Sequence, residues 1–170
     1  FKNYVIDENK FFIDKHDIEK IIINKLPYNT CNLMWKKESL GLERFSDHLL
    51  YAEEWEYYTR LISTGLLGIS INKILIYASK HSESQTDEFY SNDIRRVYAT
   101  KEAALLIVRN LVVKNIFTDS LKRYFVCFSY SYKEFNMFEQ LIEAMQLTHF
   151  EKIKWKFFYA TLPLRLFAYK

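Results

Sequence analysis

The chain has 170 residues, 49% hydrophobic and 18% aromatic, with only three glycines and two prolines. That composition supplies a sizeable core, enough for one domain or part of one, and excludes a disordered segment or a turn-rich all-β sandwich. The formal charge is +3, but residues 150–170 carry five Lys or Arg against one acid, so the basic character (+4, against about −1 elsewhere) belongs to the C-terminal end.

Residues 4–6 and 11–13 are short apolar runs separated by Asp7-Glu8-Asn9-Lys10, a hairpin pattern. Asp14 is placed to cap a helix that runs to about Lys25 and buries Ile18, Ile21 and Ile22, with Pro27 and Asn29 ending it. Residues 31–35 read as a short buried strand. Residues 36–40 read as a helical turn, with Leu42 and Phe45 packed beneath. His16 and His48 are scattered polar positions with no functional pattern around them. Cys31 and Cys127 lie far apart without metal-ligand spacing, which fits a reduced, cytoplasmic setting.

The central stretch begins at Tyr51. Glu53 and Glu54 open a predicted helix that ends near Gly65. At 3.6 residues per turn, Trp55, Tyr58, Leu61 and Ile62 share a broad apolar face. Glu53, Glu56 and Arg60 fall on the other side, where Glu56 and Arg60 are spaced to pair toward solvent. Glu54 is the exception, at the margin of the apolar arc near Tyr58 and Leu61. Desolvation there favours its protonated form and the helix N-terminus its charged one. Two readings stand open: a glutamate that satisfies free backbone N–H groups, or a general base facing a cleft. Residues 66–77 form a β-rich run that would join the sheet. Lys80-His81-Ser82-Glu83-Ser84 then makes a loop in which His81 is either an ordinary surface residue or a functional one.

Beyond Asp87 only helices are expected. Ile94, Val97, Tyr98, Lys101, Ala104, Leu105 and Val108 keep helical spacing, apolar everywhere but Lys101. Phe117, Leu121, Tyr124, Phe125 and Phe128 form a second stripe, and Phe135, Phe138, Leu141, Ile142 and Met145 a third. Such stripes indicate a small bundle. The last segment interleaves Lys152, Lys154 and Lys156 with Trp155, Phe157, Phe158 and Tyr159. A helix of this kind either lies in a membrane interface or buries its aromatics in the bundle while its lysines reach outward. No nucleic-acid motif accompanies it, and no uncharged apolar run is long enough to cross a bilayer.

One family brings several of these pieces together. Arg44-Phe45-Ser46-Asp47, then Glu53-Glu54-Trp55 with Arg60-Leu61, then Gly65, a strand, and finally His81 with Ser84 follow one another in an order and spacing that resembles the family-two inverting glycosyltransferases. The resemblance covers about a third of the chain. It implies an α/β fold class in the form of an α+β fragment. Residues 1–87 would be the C-terminal, acceptor-side part of a GT-A type mixed sheet, and residues 88–170 a mainly helical extension. Asp-x-Asp and a glycine-rich nucleotide loop are not in this sequence, so the resemblance implies a preceding nucleotide-binding half and little activity without it.

The implied reaction moves a sugar, with inversion, from a nucleotide-diphosphate sugar to an acceptor hydroxyl. The implied acceptor is a glycan or lipid-linked glycan of cell-surface polysaccharide synthesis. Glu54 would be the base, with Glu53 as the second candidate, although the family usually has Asp there. Trp55 would stack on the acceptor sugar. His81 would ligate a divalent metal (Mg or Mn) or contact the diphosphate, with Lys80 beside it and Ser79 standing where the family often has Arg. The metal's main ligands would lie in the preceding half. Localisation would be cytoplasmic, peripheral to the inner face of the membrane through Lys152, Lys154 and Lys156. The competing expectation is a non-catalytic helical interaction module or membrane-surface adaptor.

Overall fold

In a computed structural model, residues 10–26, 28, 30–71, 94–133 and 135–168 are described. The chain divides into two compact units, Phe1–Asp93 and Ile94–Lys170.

The first unit opens with strand β1 (Lys10–Ile13), which pairs antiparallel with β2 (Gly68–Ile71) so that Ile13 lies across from Gly68. Among the described residues this two-stranded ladder is the whole sheet. The expected partner strand, residues 4–6, lies outside the described residues. Asp14 caps the next turn as expected: its carboxylate accepts from the His16 N–H, and Asp17 reaches back to the Asp14 N–H. A single 3-10 turn then leads into α1 (Ile18–Ile22), which buries Ile18, Ile21 and Ile22. The helix stops sooner than Pro27. Asn24 takes a left-handed conformation (φ 58°), and the Lys25 N–H bonds the Lys20 carbonyl at 2.8 Å. That closure satisfies the free carbonyls of the last turn.

Two expectations fail in the following loop. Residues 31–35 do not form a buried strand; a 3-10 turn (Thr30–Asn32) precedes irregular backbone, and Cys31 is exposed. An apolar run this short carries no pairing signal of its own, so tertiary contacts decide its state. The helical turn is present as α2 (Lys37–Leu40), but Leu42 does not pack beneath it and is almost fully exposed. Phe45 is part-exposed and stacks on Tyr57, with ring centroids 4.1 Å apart.

Helix α3 (Glu53–Ile62) supplies the core of this unit. Ile62 packs with Ile13 and Ile21, while Tyr57, Tyr58 and Leu61 gather Tyr28, Leu33, Trp35, Leu40 and Leu66 around them. Trp35 stacks on Tyr58 at 5.6 Å, and Tyr28 meets the same ring edge-on at 6.0 Å. Gly65, at φ 92°, turns the chain after the helix as its position suggested.

The second unit consists of α4 (Ile94–Val113), α5 (Asp119–Ser131), α6 (Phe135–Ala144) and α7 (His149–Ala168). Helix α6 packs on both α4 and α5, and α7 packs on α5. The three apolar stripes form the core from Ala104, Leu105, Val108, Leu121, Phe125, Phe138, Leu141, Ile142 and Met145. Their outer members depart from expectation. Ile94, Tyr98 and Phe135 are exposed, whereas Lys101, the polar interruption, is buried.

Caps explain the boundaries. The Thr118 hydroxyl accepts from the Leu121 N–H at 3.2 Å, opening α5. At the head of α7, Glu151 accepts from the Thr148 N–H and hydroxyl while Thr148 accepts from the Glu151 N–H.

Candidate active site

The acidic pair sits at the first turn of α3, entered through Ala52 in a left-handed conformation (φ 59°) with no side-chain cap. Three carboxylates, Glu53, Glu54 and Glu56, therefore crowd the positive end of the helix, where backbone N–H groups lack intrahelical acceptors. Their fates differ. Glu53 and Glu54 are partly exposed, and Glu56 is buried.

The position of Glu56 corrects the expectation of a solvent-side pair with Arg60. The pair exists: Arg60 Nε donates to Glu56 Oε1 at 2.6 Å and Nη2 donates to Oε2 at 3.1 Å. It is covered in part by the loop 41–49, with Arg60 partly exposed and Glu56 buried. The Ser46 hydroxyl donates to Glu56 Oε2 at 3.1 Å, Arg60 Nη2 to the Arg44 carbonyl at 2.7 Å, and Arg60 Nη1 to the Glu43 carboxylate. The Arg60 guanidinium also lies 5.3 Å from the Tyr57 ring centroid. The hydrogen bond to Glu56 is the main influence that pushes the Arg60 pKa above its ordinary value, so the guanidinium stays charged. Sequence periodicity contained half of this arrangement, the four-residue spacing of Glu56 and Arg60. The other half comes from residues ten and more positions upstream, which no local pattern connects to the helix.

The latch draws the Arg44-Phe45-Ser46 segment onto α3, where Glu54 shares a side with Tyr58 and Leu61, one and two turns further on. Trp55, beside the pair, is half-buried. His81, Lys80 and Ser79 lie outside the described residues, as does the strand expected beyond Ile71. Among the described residues no cluster of three His, Cys, Asp or Glu side chains forms a metal site. Near α3, Glu43 and Glu56 are both engaged by Arg60.

In the second unit, Lys152 is half-buried and Lys154 exposed, while Lys156 Nζ lies 3.0 Å from Glu139 Oε2. Trp155 is buried, as the bundle reading of the tail expected, but Phe157 is exposed. The thiol of Cys127 is pushed up by burial, with Arg123 opposing, which argues against an activated nucleophile. Among the described residues no helix is long and apolar enough to cross a membrane.

No protein-family model matches the chain, and neither the curated proteins nor the solved structures contain a significant match.

Proposed function

We propose that the first unit is the acceptor-side part of a GT-A type, family-two inverting glycosyltransferase, and that Glu54 is its general base. The observation that carries this reading is the partition of carboxylates at the head of α3. Glu56 is buried and paired with Arg60, whereas Glu53 and Glu54 are partly exposed at the positive end of the helix. The approach of Arg44, Phe45 and Ser46 to the same helix supports it further, because these are the residues that precede the acidic pair in the resembled family.

In this reading the acceptor hydroxyl donates its proton to the Glu54 carboxylate as its oxygen attacks the anomeric carbon. The nucleoside diphosphate departs from the opposite face, which produces inversion. Arg60 is a positioning residue, since it ties the preceding loop to α3. Trp55 offers an aromatic surface for the acceptor sugar. His81 and Lys80 would meet the diphosphate, and a divalent cation held mainly by a donor-binding half would offset its charge. The acceptor class is a glycan or lipid-linked glycan handled at the cytoplasmic face of a membrane.

The test uses this chain joined to its donor-binding half. Glu54→Gln should lower kcat by about 10²–10⁴-fold and leave nucleotide-sugar affinity unchanged. Glu53→Gln should lower it far less, and the reverse ranking would move the base to Glu53. Wild-type turnover in Glu54→Gln would remove Glu54 from the mechanism. The alternative adaptor reading rests on a different observation, the outer face of α7.

A further inference from the structure

Helix α7 is apolar on two opposite sides. Trp155 and Leu162, seven residues apart, face the bundle and are buried. At 100° per residue, the opposite side carries Phe150, Ile153, Phe157 and Leu164, with Ala160 between them. These four large side chains are 78%, 54%, 67% and 73% exposed. Their spacing of three, four and seven residues makes a continuous strip roughly 21 Å long at 1.5 Å per residue. A monomeric soluble surface rarely leaves such a strip open without use.

Cations border the strip on both edges. Lys154 and Arg165 share one edge, eleven residues apart, and Lys152 and Lys156 share the other. Lys154 Nζ lies 5.5 Å from the Trp155 ring centroid, and the Arg165 guanidinium lies 4.9 Å from that of Phe158. Lys156 is engaged by Glu139 and contributes least. The one acid of the helix, Glu151, is directed to Thr148 and Lys122, away from the strip.

We propose that this outer face of α7 docks flat on an anionic lipid surface, with the aromatic and aliphatic strip entering the headgroup boundary and the flanking cations meeting lipid phosphates. Charge decides between lipid and a second copy of the chain. Two such strips packed together would bring Lys154 and Arg165 of each copy alongside cations of the other, and among the described residues the one acid beside the face, Glu139, is already engaged by Lys156. A negative lipid surface complements the same edges, each cation near it adding attraction. The helix lies on the membrane, since none of the described helices is apolar enough to span one. This inference stands independently of the sugar-transfer reading.

The experiment is flotation of the 170-residue chain with vesicles of equal parts phosphatidylglycerol and phosphatidylcholine, and with phosphatidylcholine alone. Phe157→Ser with Leu164→Ser removes the apolar contact. Lys154→Glu with Arg165→Glu reverses one charged edge. All four positions are exposed, so helicity by circular dichroism should match the wild type. The wild type should float with the anionic vesicles at least about tenfold better than with neutral ones, and each double variant should lose at least about tenfold of that binding. A wild type that stays in the pellet fraction with anionic vesicles overturns the proposal, and so does an apolar variant that floats like the wild type. A wild-type dimer that Phe157→Ser with Leu164→Ser dissociates, without any flotation, assigns the face to a second copy instead.

Discussion

The two units are held together by different means. In the second, the core is continuous hydrocarbon: Ile107, Leu111, Leu121, Phe125, Met137, Phe138, Leu141 and Ile142 are all essentially without solvent contact. In the first, among the described residues, Ile22, Tyr58, Leu61 and Ile62 are the large side chains comparably enclosed. The first unit adds stacked aromatics and a polar latch built on Arg60. A hydrocarbon core tolerates shape changes poorly but needs no exact partner for any one group. A latch concentrates its contribution in a few charged bonds, and the other two carboxylates of the same helix, Glu53 and Glu54, are partly exposed.

The comparison breaks most easily at Phe138. Its ring is fully buried and stacks on Tyr159 with centroids 4.1 Å apart. Phe138→Ala should cost about 3–5 kcal/mol in urea unfolding, the range for deleting a buried ring from a close-packed core. A loss below about 1 kcal/mol would mean that the second unit relaxes around the gap, and its core would not be continuous.

Arg60→Met sharpens the contrast from the other side. It removes the cation from a buried Glu56 and unties the loop at Arg44 and Glu43, so a loss of about 2–4 kcal/mol is expected. Adding Glu56→Gln should recover part of that loss, because the stranded charge goes with it. If the single and double variants are equally unstable, the loop contacts carry the unit, and the ion pair contributes little. Should Arg60→Met also reduce sugar transfer with KM unchanged, loop placement would be tied to the chemistry.

The same difference governs how much the sequence disclosed. Helices α4 to α6 were legible because the residues that form each stripe lie three or four positions apart and share one neighbour. Ala104, Leu105 and Val108 are buried as their period required. The outermost stripe members, Ile94 and Phe135, are exposed because periodicity assigns a face but not how far the partner helix extends along it. In the first unit, Asp14 and the isoleucines of α1 followed local rules, and α3 began where the acidic pair indicated. Residues 31–35 did not, since four apolar residues interrupted by Asn32, without a pairing partner, specify no state. For the candidate site, Glu53 and Glu54 are equally part-exposed, and Glu56, which the sequence sent to water, is buried. The burial of Glu56 is decided by Ser46, Glu43 and the Arg44 carbonyl, and a helical wheel holds no information about them. The tail reads as either a membrane-interface helix or a bundle helix, and which of its aromatics face outward was not legible for a related reason. Apolar side chains on opposite sides of a helix cancel in any one-sided reading of amphipathicity.

The smallest expected effect tests the entrance to α3. Ala52 holds φ 59° immediately before the acidic pair, a conformation in which an L-residue's Cβ crowds the following carbonyl. Lys133 and Gln146 hold nearly the same angle (54° and 51°) in the second unit, each after the end of a helix. Glycine relieves that crowding, at the cost of a more flexible unfolded chain, so Ala52→Gly should stabilise by about 1 kcal/mol. Lys133→Gly and Gln146→Gly should give similar gains, because all three share one backbone conformation whatever surrounds them. Equal shifts in urea midpoint at the three sites would show that the turns obey the same local physics in both units. A gain at Lys133 and Gln146 with a loss at Ala52 would mean that the Ala52 methyl itself supports the first turn of α3. The orientation of Glu53 and Glu54 would then depend on that methyl, and Ala52→Gly should lower turnover along with stability.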